Sequence, residues 1–145
     1  LVLKNFKGWN LAFSICYDVR FSELYLHYAK NKAHVVFVPA AFLTTTGRAH
    51  WEMLLRARAI EGQFYVLAAA QAGEHRSTLD ESTRESYGHS MAGDPWGESL
   101  TQFQQEPFKL QIVEISLDKI KKVKDQIPME NHRRLNERSS LLCLK

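Results

Sequence analysis

Three short apolar runs in the first half of the chain predict buried β-strands, over Trp9–Cys16, Ala33–Val38 and Phe64–Ala70. Each run is bounded by polar or turn-forming residues and is shorter than the roughly 10–12 residues of a buried helix. Apolar positions at helical spacing predict helices over Glu23–Asn31, with Ser22 as the N-cap, and over Ala49–Gln63. The order strand, helix, strand, helix, strand is that of an α/β protein whose helices cover a sheet.

Patterns in the second half of the chain are more local. We predict a threonine-rich loop over Ala40–Gly47 and, because apolar residues are scarce, a long surface loop over Gln71–Ser86. Short strands are predicted over Tyr87–Ala92, Ser99–Gln104 and Lys109–Ile115. An apolar face at helical spacing predicts a last helix over Leu117–Gln126, ended by Pro128. Met129–Lys145 is charged and non-periodic, which indicates a tail.

Composition narrows the class of protein. The chain has 145 residues, a formal net charge of +3 and 45% apolar residues, which is typical of globular domains and excludes a disordered or fibrous protein. Two cysteines, Cys16 and Cys143, are too few for a disulfide scaffold and indicate a reducing compartment, either cytoplasmic or mitochondrial. No apolar stretch is long enough to span a membrane. The dispersed basic residues do not predict a nucleic-acid partner.

Cys16 is the first candidate for chemistry. Most buried cysteines at the end of a strand act as small apolar residues, and that interpretation stays open. In α/β proteins, however, the carboxyl end of a strand faces the ligand crevice. A thiolate there could attack a carbonyl carbon, with the backbone N–H of Tyr17 as a donor to the developing oxyanion.

Ser90 is a second candidate nucleophile. Gly88–Ala92 approximates the G-x-S-x-G elbow of serine hydrolases, with Asp118 and His132 in the matching chain order. The elbow needs a helix directly after the serine, whereas Gly93–Gly97 carries turn chemistry. A closely packed strand of small residues is the favoured interpretation of this segment.

The remaining polar clusters predict structural roles. The six histidines lack metal-ligand spacing, so we predict no metal site and no cofactor, and His89 is expected to support a loop through hydrogen bonds. Arg58 and Glu61 are i,i+3 neighbours on a helix and predict an ion pair at the edge of the core. The alternative is that Arg56 or Arg58 binds a substrate carboxylate.

Four motifs, in this order, resemble the carbon–nitrogen hydrolase (nitrilase) superfamily. They are Ile15–Leu24 around the cysteine, Pro39–Phe42, Ala49–Glu52 running into Arg56–Glu61, and Tyr87–Ser90 with Asp94–Glu98. The resemblance extends from about Gly8 to Arg134. The His-Trp-Glu helix, Ala69–Gln71 and the Tyr-Gly-His-Ser segment are most similar to the Nit branch.

The resemblance implies a fold and a site. The fold is α/β, a four-layer αββα sandwich of the nitrilase type, with residues 1–134 as its C-terminal half and 135–145 as a divergent tail. The family uses a Glu-Lys-Cys set, and Cys16 matches the nucleophile and the Tyr17 N–H an oxyanion contact. Phe42, Thr45 and Thr46 match the segment that lines the substrate pocket. Members assemble as homo-oligomers, and some are fused to a Fhit domain.

The implied activity is hydrolysis of a linear amide, such as deaminated glutathione or a similar ω-amide, through a cysteine thioester with release of ammonia. The Glu and the Lys of the family precede the cysteine, and neither is found in these 145 residues. We therefore expect the chain alone to be inactive. A hypothesis from another class makes it a non-catalytic truncated isoform or interaction module, whose exposed sheet edges bind a partner.

Overall fold

A computed structural model describes residues 2–101, 103–104 and 109–134. Strands within these ranges are β1 (Val2–Phe6), β2 (Trp9–Phe13), β3 (Val35–Phe37), β4 (Tyr65–Ala68), β5 (Ala72–Arg76), β6 (Thr83–Tyr87) and β7 (Met91–Gly93). The helices are α1 (Ser22–Lys30), α2 (Thr44–Gly62), α3 (Leu117–Gln126) and the short α4 (Met129–His132). A 3₁₀ helix, Cys16–Arg20, connects β2 to α1.

The main sheet has the strand order β1-β2-β3-β4-β7. Strands β2, β3 and β4 are parallel, whereas β1 and β7 pair antiparallel at the two edges. Strands β5 and β6 form a separate antiparallel hairpin. Because β2, β3 and β4 run in the same direction, their carboxyl ends meet at one edge of the sheet, which is where ligand crevices of α/β proteins lie.

The alternation of side chains along the parallel strands divides the core between the two faces of the sheet. One face packs against α1 and α2, and its buried residues include Val36, Val38, Val66, Ala68, Tyr25, Trp51 and Leu55. The opposite face carries Val35 and Tyr65, which pack against Ile120 of α3. The nearly continuous apolar character of β3 and β4 follows from burial on both faces.

A turn after β7 anchors α3 to the sheet. Asp94 is fully buried, and its Oδ1 accepts hydrogen bonds from the backbone N–H groups of Trp96 and Glu98, both at 2.9 Å. Its Oδ2 forms an ion pair with Lys119 of α3. The hydrogen bond from Lys119 to Asp94 raises the pKa of Lys119 above its usual value. The same carboxylate thus closes the turn and holds a helix.

The structure confirms three strands and three long helices, with shifted bounds. Strands β3 and β4 are largely buried as predicted, whereas β2 is only partly buried. The Leu117–Gln126 helix is found as predicted. Ser22 is not an N-cap: α1 already begins there, and Phe21 occupies the cap position without a side-chain cap. The predicted Ala40–Gly47 loop is wrong from Thr44 onward, because all three threonines belong to the first turn of α2.

Several predictions in the second half are wrong. The Gln71–Ser86 segment is not a loop, since most of it forms the β5–β6 hairpin. The Tyr87–Ala92 strand is displaced to β7, with Tyr87 ending β6. Residues 99–101, 103–104 and 109–115 are not in strands. The tail predicted over Met129–Lys145 begins instead with the short helix α4. The divergent tail over 135–145 lies outside the described residues.

The chain has the mixed α/β fold that the sequence predicts. The main sheet and the layer of α1 and α2 account for two of the four layers that the resemblance implies. In the described part of the chain, none of the helices has the length and apolar character needed to span a bilayer.

Candidate active site

Cys16 lies where the parallel strand β2 passes into the 3₁₀ helix. Its N–H donates to Pro39 O at 2.9 Å, which continues the ladder between β2 and β3 beyond the regular strands. The backbone of Cys16 is left-handed, with φ of 46°. A residue with a side chain is strained in such a conformation by about 1–3 kcal/mol, and the strain persists only where the surrounding structure holds it. The thiol is half-buried at this bend.

An open depression of about 620 Å³ lies beside Cys16 at the carboxyl ends of the three parallel strands. Its lining includes Ile15 and Cys16 after β2, Pro39, Ala40 and Ala41 after β3, Ala69, Ala70 and Gln71 after β4, and Arg84 and Ser90. Hydrogen bonds between these strand extensions hold the floor, among them Ala40 N to Ala69 O and Gln71 N to Ala40 O, both at 2.9 Å. Small side chains leave room in front of the thiol.

Arg84 brings a positive charge to the depression. It lies on β6 of the hairpin, and its Nη2 donates to Ala41 O. A guanidinium has five N–H donors in a planar arrangement, so this contact leaves others for a ligand. Sequence reasoning missed Arg84 because it took the whole segment for a loop. In the hairpin, Arg84 of β6 is the register partner of His75 of β5, and this pairing is the information that would have located Arg84.

A buried hydrogen bond fixes the chain just before Cys16. The hydroxyl groups of Ser14 and Tyr25 lie 2.7 Å apart, and both side chains are buried. Burial raises the pKa of Tyr25 to about 12, so its hydroxyl is neutral at physiological pH. Tyr28 adds a second contact, because its hydroxyl donates to Phe13 O at 2.6 Å. Two tyrosine side chains of helix α1 therefore fix the position of the end of β2.

Arg58 fixes the chain after Cys16. Its Nε donates to Val19 O at 2.8 Å, and its Nη2 donates to Arg20 O at 3.2 Å. The predicted ion pair with Glu61 is confirmed, with 2.9 Å between Nη1 and Oε1. The Arg58 side chain is only 8% exposed, and its guanidinium is engaged by the 3₁₀ helix and Glu61.

The other cation considered from the sequence, Arg56, also has structural partners. Its Nε donates to Gly97 O at 2.8 Å, and its Nη1 lies 3.3 Å from Oε1 of Glu52. Helix α2 thus uses Arg56 to hold the turn that follows β7. The lining residues of the depression beside Cys16 come from other elements.

Ser90 and His89 have structural contacts. Ser90 Oγ accepts a hydrogen bond from Ala70 N at 2.9 Å and donates to Ala70 O at 3.3 Å, so it joins two strand ends. The prediction that His89 supports a loop is confirmed. Its Nδ1 lies 2.7 Å from Tyr87 O, its ring stacks on Tyr87, and its carbonyl accepts from Trp51 Nε1.

The predicted pocket residues Phe42, Thr45 and Thr46 lie on the segment that enters α2. Phe42 is 5% exposed and packs against Trp51, with 4.8 Å between ring centroids. Thr45 is exposed, and Thr46 Oγ1 donates to Leu43 O at 3.3 Å. The lining of the depression beside Cys16 consists of other residues, so a role of these three in substrate binding stays a prediction.

The chain is similar to proteins of a known family. The carbon–nitrogen hydrolase family model matches residues 4–125. A deaminated glutathione amidase from Dictyostelium discoideum is 49% identical over 126 residues, which are 87% of this chain and 42% of that protein. The chain therefore spans less than half the length of the curated relatives it matches.

Two solved structures share the fold. The Caenorhabditis elegans NitFhit protein has a TM-score of 0.74 and 44% identity, covering 91% of this chain and 32% of that one. A mutant of the amidase from Nesterenkonia sp. AN1 has a TM-score of 0.62 and 30% identity, covering 74% of this chain and 38% of that one. That structure shows covalent addition of the acetamide moiety of fluoroacetamide at the active site cysteine.

Proposed function

The chain belongs to the carbon–nitrogen hydrolase family, and from this premise we propose that it carries the nucleophile-bearing part of an amidase. The observation that carries the proposal is the position of Cys16, held in a left-handed bend beside an open depression at the carboxyl ends of three parallel strands. The modified cysteine in the related amidase supports the same chemistry. The reaction is hydrolysis of a linear amide to a carboxylic acid and ammonia.

The reaction proceeds in two steps. The Cys16 thiolate attacks the amide carbon, and the oxyanion accepts a hydrogen bond from Tyr17 N–H. The neighbouring N–H groups are already engaged, because that of Cys16 donates to Pro39 O and that of Asp18 donates to Ile15 O. The C–N bond then breaks, a proton passes to the nitrogen, and ammonia leaves a thioester. Water attacks the thioester, the C–S bond breaks, and the thiol is regenerated.

Both steps need groups beyond the chain. A general acid–base must activate the thiol and protonate the leaving nitrogen, and a cation must stabilise the oxyanion. The resemblance implies a Glu and a Lys in these roles. Here, "the complete enzyme" means a protein that contains this chain together with a further segment that supplies these two groups.

The 145-residue chain alone should not turn over amides. Acid–base catalysis contributes roughly 10²–10⁴-fold, and one oxyanion donor roughly 10²–10³-fold, so their joint absence brings the rate near background. Ammonia release from deaminated glutathione measures it, with circular dichroism to confirm that the chain is folded. Hydrolysis by the folded chain that Cys16→Ala abolishes would contradict the prediction.

We propose that the substrate carries a carboxylate, as deaminated glutathione and similar ω-amides do. The Dictyostelium relative is a deaminated glutathione amidase. Arg84 supplies a guanidinium to the lining of the depression that also contains Cys16. Guanidinium and carboxylate match in a planar, two-bond geometry, so Arg84 can hold the far end of a linear substrate while its amide meets the thiol.

Replacing Arg84 by methionine tests this assignment in the complete enzyme. A hydrogen bond to a charged group contributes about 1.5–3 kcal/mol, so KM for deaminated glutathione should rise roughly 10- to 100-fold. Propionamide, which lacks a carboxylate, should change by less than about threefold in kcat/KM.

The matched control is Arg76→Met, on the other strand of the same hairpin. Arg76 is exposed and pairs with Glu81 at 3.3 Å, away from the depression lining. It should leave both substrates unaffected. Equal losses on the charged and the neutral substrate in Arg84→Met would show that Arg84 supports the hairpin and does not bind the carboxylate.

Two partner predictions stay open. The homo-oligomer implied by the resemblance finds support in the outer surface of α2, where Met53 is 73% and Ile60 45% exposed beside a depression of about 480 Å³. The NitFhit relative is a fusion of a nitrilase and a fragile histidine triad protein. A Fhit-domain fusion of this chain is a proposal by analogy with that relative.

A further inference from the structure

The backbone around Cys16 is held from both sides by buried side chains of the helical layer. Before the cysteine, Ser14 is held by Tyr25 of α1. After it, the carbonyl groups of Val19 and Arg20 are held by one guanidinium, that of Arg58 on α2. Between these points the chain contains the strained bend at Cys16 and a single short 3₁₀ helix.

From this arrangement we propose that Arg58 is a positioning residue for the nucleophile. The carbonyl groups of the last turn of a helix accept no hydrogen bond from the helix itself, so they need donors from elsewhere. Arg58 supplies two donors in a fixed fork, so the exit of the 3₁₀ helix cannot rotate without breaking both bonds. The left-handed conformation of Cys16 is thereby maintained, because relaxing it would move the following turn.

The surroundings of Arg58 keep the fork in place. Glu61 holds the third nitrogen at 2.9 Å, one helical turn away on α2. The Tyr25 ring lies 5.5 Å from the guanidinium carbon, on the side of the α1 layer. Tyr25 therefore contacts both anchors, the Ser14 hydroxyl before the bend and the Arg58 guanidinium after it. The two anchors form one buried unit.

Lysine cannot replace this arrangement fully. A lysine ammonium keeps the charge toward Glu61, but it lacks the planar fork that reaches two successive carbonyl groups. Methionine removes both the charge and the donors at similar length. The pair Arg58→Lys and Arg58→Met therefore separates charge from geometry.

The test uses the complete enzyme and rests on the proposed function only in taking Cys16 as the nucleophile. Because misplacement by about 1 Å can cost about 100-fold, Arg58→Met should lower kcat about 100-fold with KM within about threefold. Arg58→Lys should lose about 10-fold, since it retains one donor position. Alkylation of Cys16 by iodoacetamide needs no alignment with an oxyanion donor. Its rate in each Arg58 variant should therefore stay within about threefold of the wild-type rate across the pH range.

Leu55→Ala is the control for stability. Leu55 is fully buried on the same helix, and its truncation destabilises the core while leaving the three donor nitrogens of Arg58 in place. At a temperature where each variant is folded, Leu55→Ala should keep the wild-type kcat. A loss of kcat in Leu55→Ala equal to that in Arg58→Met would overturn the proposal, because it would assign the effect to stability.

Hydrogen exchange supplies a readout that does not depend on turnover. The N–H groups of Asp18 and Phe21 donate within the turn, to Ile15 O and Asp18 O. Their exchange should accelerate at least about 10-fold in Arg58→Met and not in Leu55→Ala. If the wild type hydrolyses no amide, the proposed function fails and exchange alone decides: unchanged exchange in Arg58→Met overturns the positioning role, and accelerated exchange supports it.

Discussion

Cys16→Ala is expected to abolish amide hydrolysis by the complete enzyme, with a loss of roughly 10⁴-fold or more in kcat. Removing the nucleophile of a catalytic set that acts as a unit costs about as much as removing the whole set. Alanine also removes the thiol from the depression without changing its alanine-rich walls. Initial rates of ammonia release with deaminated glutathione measure the effect.

The matched control replaces the other cysteine. Cys143→Ala changes the same side chain at a position outside the described residues and should retain wild-type kcat. Substrate binding should survive in Cys16→Ala, since Arg84 is intact. A variant that still hydrolysed the amide would contradict the proposal and favour the serine-hydrolase hypothesis, in which Ser90 is the nucleophile.

Asp94→Ala is expected to have the largest effect on stability. The fully buried carboxylate accepts from two part-buried backbone N–H groups and pairs with Lys119, so its loss leaves these donors without their acceptor. A hydrogen bond to a charged group contributes about 1.5–3 kcal/mol, so losing both costs about 3 kcal/mol or more, which is a large part of a total stability of about 5–15 kcal/mol. Urea unfolding followed by circular dichroism measures the change.

Two further substitutions divide this effect into its parts. Asp94→Asn keeps an oxygen for the N–H groups of Trp96 and Glu98 but loses the charge, and should cost less than Asp94→Ala. Lys119→Met leaves the buried Asp94 carboxylate without its counter-charge and should cost about 1–3 kcal/mol, less than Asp94→Ala because both hydrogen bonds of the turn remain. A loss in Lys119→Met as large as that in Asp94→Ala would place the stabilisation in the ion pair and not in the turn.

The elements that the sequence predicted well are those whose burial produces a clear period. Helix α3 has one apolar face with Ile120 and Val123 buried, and both ends carry ordinary signals, Ser116 as a side-chain N-cap and Pro128 beyond the last turn. Strands β3 and β4 are apolar on both faces because both faces are covered. Patterning and local chemistry agree in these segments, so tertiary structure adds little to them.

The β5–β6 hairpin could not be predicted in this way. Glu74, His75 and Arg76 are all exposed, as are Thr83, Arg84 and Glu85, so neither strand alternates between buried and exposed positions. The start of α2 was missed for a related reason. Residues Thr44–Thr46 have weak helix propensity, and they are helical because the packed remainder of α2 continues into them.

The residues of the candidate site likewise fall into those that the sequence could identify and those that it could not. Cys16 could be found because the end of a parallel strand is a position that sequence order can identify. The ion pair of Arg58 with Glu61 could be predicted from their spacing, but its two other partners are backbone carbonyl groups 38 and 39 residues away, which have no signature in a sequence. Arg84 was hidden by the missed hairpin. Contacts to the backbone across the fold thus decide what sequence reasoning cannot reach.

Loss of the thiol and relief of the backbone coincide at position 16. Glycine adopts the left-handed conformation found there without steric penalty, so Cys16→Gly would remove the nucleophile while easing the bend. A single nucleotide change converts a cysteine codon into a glycine codon. The route from this fold to an inactive descendant is therefore short and favoured by stability, and only selection for the chemistry of the thiol opposes it.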